Sequence, residues 1–205
     1  MRLAPIALQI DRLREVIGLN LDTGPYLAGG AARATLTQEP VKDFDVFFAS
    51  QEQADAAERA LIAAGAIPIP RAPGSVTVAP RPGSELIRSI YLDLPGVGPV
   101  NIARTHVFPS VDVLLDSFDF TVCQIATDGR VTRSSPGALA DVEARRLCLV
   151  RETIAARIWK YLGRGYVLGP EDAARWVSGG RGRRGPIPGL TTASGLVAQM
   201  APTPG

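Results

Sequence analysis

The sequence predicts an α+β fold, a mixed sheet with flanking helices and a small helical C-terminal extension. Three observations carry this. Short apolar runs bounded by Gly, Pro and Asp read as strands, and several follow one another directly, without an intervening helix. Between and after them stand Ala- and Leu-rich segments with helical spacing of apolar residues. A chain of 205 residues that is 46% hydrophobic and 20% charged can bury a real core, which excludes wholesale disorder.

The elements follow in order. From Pro5 to Leu19, the residues Ile6, Ile10, Leu13, Val16 and Ile17 recur near helical spacing and predict a helix with one face on the core. Tyr26-Leu27-Ala28 is a short apolar run ended by Gly29-Gly30, and Ala31 to Leu36 has helical character, so the expected order is strand, glycine pair, helix. Val46-Phe47-Phe48 reads as a second strand, entered through Asp43-Phe44-Asp45. Gln51 to Ala64 is a helix closed by Gly65. Strands are expected at Ser75–Val78, at Ile87–Leu94 with Ile90 and Leu92 on one face, and at Val100–Val107. Ser110 caps a short helix through Leu115. Phe118 to Ala126 is strand-like, and Asp128-Gly129 is a hairpin-turn signal. Helices are expected at Pro136–Arg145, Thr153–Leu162 and Pro170–Val177. From Gly179 onward the density of Gly, Pro, Ser and Thr predicts a tail with no core of its own. The expected division is a core over 1–140, a helical extension over 141–178 and a tail over 179–205.

Composition narrows the function classes. No apolar run approaches the ~20 residues of a membrane span, and the N-terminal apolar stretch is too short for a secretory signal peptide. Two cysteines, Cys123 and Cys148, exclude a disulfide framework and favour a reducing, cytoplasmic setting. A lone His106 excludes a multi-histidine metal site. The net charge of +2 gives little global steering toward nucleic acid, but residues 145–185 hold ten Arg or Lys against three acids, which hints at an anionic partner. In that third, Trp159, Tyr161 and Tyr166 interleave with Arg157, Lys160 and Arg164, with Trp159 expected in the core.

The informative stretch is Leu27-Ala28-Gly29-Gly30-Ala31-Ala32-Arg33 followed by Lys42-Asp43-Phe44-Asp45. A glycine pair between strand and helix lets backbone approach a ligand closely, and the helix N-terminus offers N–H groups to a phosphate. Strand alternation puts Asp43 and Asp45 on one face, with Phe44 opposite. Two carboxylates on one face suit hard divalent cations that also bind triphosphate oxygens.

These residues resemble the signature of the DNA polymerase beta-like nucleotidyltransferase superfamily, nearest the branch of CCA-adding enzymes and bacterial poly(A) polymerases. That branch reads Gly-Gly-x-x-Arg-Asp and then Asp-x-Asp, and Asp119-Phe120-Thr121-Val122-Cys123 resembles its Asp-Phe-Thr-Ile-Asn block. The resemblance implies transfer of a nucleoside monophosphate from an NTP to a hydroxyl acceptor, with two Mg²⁺ ions. It implies metal ligation and catalysis by Asp43 and Asp45, triphosphate contact by Gly29 and Gly30, phosphate pairing or loop bracing by Arg33, and nucleotide-pocket support by Asp119. The chain departs from the pattern in three places. The aspartate after the arginine is Ala34, the final asparagine of the second block is Cys123, and the strand where many members carry a third carboxylate has Asn101, with Asp93, Asp116 and Asp119 as candidate substitutes. The acceptor stays open among RNA, protein and a small molecule. A second expectation stands beside the enzyme: a catalytically lapsed fold serving as an interaction or assembly component. That component would form a homo-oligomer or larger assembly, a phage or virus particle included, through its C-terminal tail.

Overall fold

Several helices in the first part of the chain begin or end at a residue whose chemistry suits that place. The helix α1 (Ile6–Ile17) buries Ile10 and Leu13 and stops at Gly18, whose left-handed φ of 68° lets its N–H reach Arg14 O. The strand β1 (Tyr26–Ala28) leads through Gly29 into α2 (Gly30–Thr37), and β2 (Phe44–Phe48) leads to α3 (Gln51–Ala63). The Ser50 hydroxyl accepts the Gln53 N–H at 3.2 Å and so starts α3. After β3 (Ile67–Pro68), β4 (Ile90–Leu94) and β5 (Gly98–Val107), α4 (Val111–Asp116) is opened by Ser110, which accepts from Val113 N. The strands β6 (Ile125–Thr127) and β7 (Thr132–Ser134) form a hairpin, turned by Asp128, whose Oδ1 accepts from the N–H groups of Arg130 and Val131.

The computed structural model describes residues 5–70 and 89–179, which divide into two compact units. The first takes the described residues up to Ser117 together with Cys123–Ser135; the second takes Phe118–Val122 and the described residues from Pro136 onward. The division thus falls at Ser135-Pro136, five residues before the sequence-based boundary, and one short segment crosses it. The expected strand Ser75–Val78, the start of the strand Ile87–Leu94 and the tail from residue 180 lie outside the described residues. Among the described residues, no helix is long and apolar enough to cross a membrane.

The first unit holds a seven-stranded mixed sheet in the order β3-β4-β5-β2-β1-β6-β7. All neighbours are antiparallel except β2 and β5, which run parallel. A parallel pair needs a crossover, and α3 lies within it, packed on both strands. Strand β2 alternates as expected: Phe44, Val46 and Phe48 are buried, while Asp45 and Phe47 are half-buried on the other face. The buried face packs with Leu92, Leu94, Val100 and Ile102 of the neighbouring strands against Ile10 and Leu13 of α1, Ala31 of α2 and Ala54, Ala57 and Leu61 of α3. Each large side chain buried there contributes about 1.5–3 kcal/mol, so the core face fixes the register that presents Asp45 on the opposite face.

The second unit contains α5 (Ala138–Glu143), β8 (Arg146–Leu147), α6 (Ala155–Leu162), β9 (Val167–Leu168) and α7 (Pro170–Gly179), with β8 and β9 paired in parallel. Two expectations are corrected here. Of the strand expected over Phe118–Ala126, only its end lies in β6, because Phe120 bridges Leu149 and the Asp119 carbonyl accepts the N–H groups of Val150 and Arg151. Trp159 is 40% exposed, because the buried face of α6 is phased on Ile158 and Tyr161. The Tyr161 ring meets Phe120 edge-on at 5.3 Å and Tyr166 at 5.6 Å.

Candidate nucleotide and metal site

The site is built around the end of β1. Gly29 has φ 73° and ψ −125°, a combination open in practice to glycine alone. Its N–H donates to Ile125 O at 2.9 Å, which ties the turn to β6, and its carbonyl accepts the Arg33 N–H at 2.9 Å as the first bond of α2. Among the described residues, no side chain caps α2. The N–H groups of Gly30, Ala31 and Ala32 therefore form an uncapped helix start, the geometry that attracts anions. Gly30 is a different case from Gly29. Its backbone is ordinary, and a Cβ built on it would meet nothing within 4 Å among the described residues, so none of them requires glycine there.

The carboxylates sit next to this turn. Strand β1 pairs with β2 as Tyr26↔Phe47 and Leu27↔Val46, so the next step sets Ala28 opposite Asp45, at the point where the chain enters the glycine turn. Asp43, half-buried, shares the alternation phase of Asp45 at the entry to β2. On the other side, β5 aligns Asn101 with Asp45, and the Asn101 Nδ2 donates to Asp45 Oδ1 at 2.8 Å. Asn101 is 9% exposed, and its Oδ1 is buried without a hydrogen-bond partner among the described residues. The oxygen atoms that Asp43, Asp45 and Asn101 offer are of the chemistry that fits a hard divalent cation such as Mg²⁺. Among the described residues, no group of three or more His, Cys, Asp or Glu side chains converges to hold a metal.

Arg33 and Asp119 are held differently. Arg33 is fully buried, and its Nη2 donates to Glu39 Oε2 at 3.0 Å. Glu39 lies in the segment joining α2 to β2, so the pair braces the approach to Asp43. Ala34 lines a cavity of about 340 Å³ together with Gln38 and Glu39. Asp119 belongs to the second unit, where Arg157 grips it through Nε at 2.5 Å and Nη2 at 2.7 Å and Thr153 Oγ1 donates to Oδ2 at 2.5 Å. Of the candidate substitutes for a third acid, Asp93 lies on β4 opposite Pro99 and Asp116 ends α4. Sequence reasoning missed Glu39 altogether. Its signal was a lone acid six residues after an arginine in a helix with no acid of its own.

The second unit has its own ionised cluster. Asp141, buried, accepts from Thr121 Oγ1 at 2.6 Å and Arg146 Nε at 2.6 Å. Burial pushes its carboxyl up, but the hydrogen bonds from Thr121, Arg146 and Cys148 and the charge of Arg146 outweigh it, leaving the pKa below the usual carboxylate value. Burial and the neighbouring Asp141 push the Cys148 thiol up. Both cysteines are free thiols, Cys123 buried and Cys148 half-buried.

Comparison with solved structures gives the same fold. The Bacillus stearothermophilus CCA-adding enzyme in complex with CTP is similar over 84% of this chain and 43% of that one, with 18% identity and a TM-score of 0.52. The Thermotoga maritima CCA-adding enzyme complexed with tRNA is similar over 74% of this chain and 37% of that one, with 17% identity and a TM-score of 0.43. The chain thus spans less than half the length of these enzymes, and at such identities the likeness is one of fold. It supports the nucleotidyltransferase-like α+β architecture expected from Gly29-Gly30 and Asp43-Phe44-Asp45. No curated protein matches the sequence. A family model described as Gabija anti-defense 2 family protein matches residues 8–145, which span the whole sheet and the glycine turn, and the chain belongs to that family.

Proposed function

We propose that the chain is a Mg²⁺-dependent nucleotidyltransferase that moves a nucleoside monophosphate from an NTP to a hydroxyl acceptor, in the service of the anti-defence role that its family's name states. The observation that carries this reading is the uncapped start of α2 at the glycine turn, set beside Asp45 across β1 and β2. Gly30 adds to it, since a glycine with ordinary backbone and open space at its Cβ is explained by a ligand that comes close. The N–H groups of Gly30, Ala31 and Ala32 would orient the triphosphate. Asp43 and Asp45 would hold the cation, with Asn101 fixing the direction of Asp45. The bound cation supplies charge that stabilises the α-phosphate under attack and the leaving pyrophosphate. The acceptor oxygen forms a bond to the α-phosphorus, the bond to pyrophosphate breaks, and the hydroxyl proton passes to solvent. Arg33 acts by bracing the segment before Asp43, and Asp119 by pinning the second unit.

The test is incubation with each α-labelled NTP and Mg²⁺, alone, with RNA and with cell protein, reading label transfer. Asp43→Asn and Asp45→Asn should each abolish transfer and NTP-dependent Mn²⁺ binding. Gly30→Ala should weaken NTP binding at least tenfold while leaving the melting temperature unchanged or raised, since Ala favours a helix by up to about 1 kcal/mol over Gly. Unchanged NTP binding in Gly30→Ala would refute the site. One observation favours a second reading, a fold kept for binding or assembly without transfer: the neutral Asn101 beside Asp45. Under it, NTP is retained and no acceptor takes label.

A further inference from the structure

Resting on that nucleotide reading, we infer that Asn101 makes this a one-cation site, which takes the divalent cation arriving with the triphosphate and excludes a second. Two catalytic cations sit only about 3.5–4 Å apart, and their mutual repulsion has to be offset by bridging carboxylates. The sheet register decides which side chain stands beside Asp45 on the neighbouring strand, and it is Asn101. Its amide carries no charge, so Asp43 and Asp45 bring two negative charges against the four positive ones of a cation pair. The direction of the amide opposes a bridge as well. Asn101 Nδ2 donates to Asp45 Oδ1, so the positive end of an N–H dipole already occupies one lone pair of that carboxylate oxygen. Turning the amide over would set Asn101 Oδ1 against a carboxylate oxygen, so the hydrogen bond fixes its orientation. The Oδ1 that results is buried and has no partner among the described residues, in a side chain that is 9% exposed. A buried carbonyl oxygen left unmatched on the side chain that holds Asp45 is accounted for by a single cation bound there.

The experiment counts cations. The full chain is equilibrated with Mn²⁺ and a non-hydrolysable ATP or CTP analogue, and Mn²⁺ and nucleotide retained on the protein are measured in the same sample. The expected result is one Mn²⁺ per bound nucleotide in the wild type and two in Asn101→Asp, whose new carboxylate both adds charge and removes the N–H donor. Asn101→Ala, which removes the donor and adds no charge, should remain at one. Two Mn²⁺ per nucleotide in the wild type overturns the inference without appeal to any variant, as does two in Asn101→Ala. A folded Asn101→Asp that stays at one, judged by its circular dichroism spectrum, also overturns it. If the wild type retains neither nucleotide analogue, the nucleotide reading itself fails, an outcome distinct from a wrong cation count.

Discussion

Glu39→Ala tests what holds the segment that delivers Asp43. The Arg33 side chain is 0% exposed and that of Glu39 10% exposed, with 3.0 Å between Nη2 and Oε2. Removing the carboxylate leaves a guanidinium inside the protein without it, and breaking a buried pair in this way costs about 3–5 kcal/mol. The remaining exposure at Glu39 admits some water, so the lower end, about 3 kcal/mol, is expected. For a chain of this size that lowers Tm by roughly 6–12 °C. The control is Arg33→Met combined with Glu39→Ala, which removes both charges and keeps an apolar side chain of similar reach. Because the penalty comes from keeping the Arg33 charge buried after its Glu39 carboxylate is gone, the double variant should recover at least half of the loss. The assay is thermal unfolding followed by circular dichroism. A loss below about 1 kcal/mol in Glu39→Ala, or a double variant no more stable than the single one, would refute the reasoning.

Three further outcomes are expected. Asp119→Asn should destabilise the second unit by about 2 kcal/mol through the lost charged hydrogen bonds to Arg157 and Thr153, without changing NTP binding; loss of NTP binding in a folded variant would return Asp119 to the nucleotide. Asp141 has a folded pKa below its unfolded value of about 3.9, so its contribution is present above that value and is lost as pH falls through the folded pKa. The urea midpoint measured below pH 4 should therefore fall less steeply in Asp141→Asn than in the wild type. Cys148, with its thiol pushed up, should react with iodoacetamide at pH 7.5 more slowly than a free cysteine model, and at the model's rate once urea unfolds the chain.

How far the sequence could be read depended on the range of the interaction concerned. The alternation Phe44-Asp45-Val46 is set by residues two apart, and the structure keeps it. The glycine pair and the Ser110 cap are equally local signals, and both stand where they were expected. What escaped was settled at long range. The parallel pairing of β2 with β5, which brings Asn101 to Asp45, joins residues 56 apart, and no local pattern encodes a register across α3, β3 and β4. Arg33 could be read as a phosphate ligand or as a brace, and its pairing with Glu39, a loop acid with no periodicity, is not encoded in any local pattern. Asp119 matched a motif, but its partners Thr153 and Arg157 lie more than thirty residues away. Trp159 was misplaced by a single step of helical phase, which a short helix with aromatics on several sides leaves ambiguous.

The path of the chain between the two units has a consequence for how the protein can be cut or recombined. The backbone passes from the first unit to the second at Ser117-Phe118, returns at Val122-Cys123, and leaves again at Ser135-Pro136. A fragment ending at residue 135 keeps the complete sheet but carries Phe118–Val122 stripped of the Leu149, Thr153, Arg157 and Tyr161 contacts that occupy it. A fragment starting at residue 136 lacks the Phe120 ring and the Asp119 carboxylate around which those residues gather. Neither half can be excised as a self-sufficient module. A crossover between two related genes at this boundary would graft one parent's five-residue segment onto the other parent's receptor for it. The segment Phe118–Val122 and the residues from Pro136 onward that receive it are therefore expected to be inherited together, each constraining which substitutions the other tolerates.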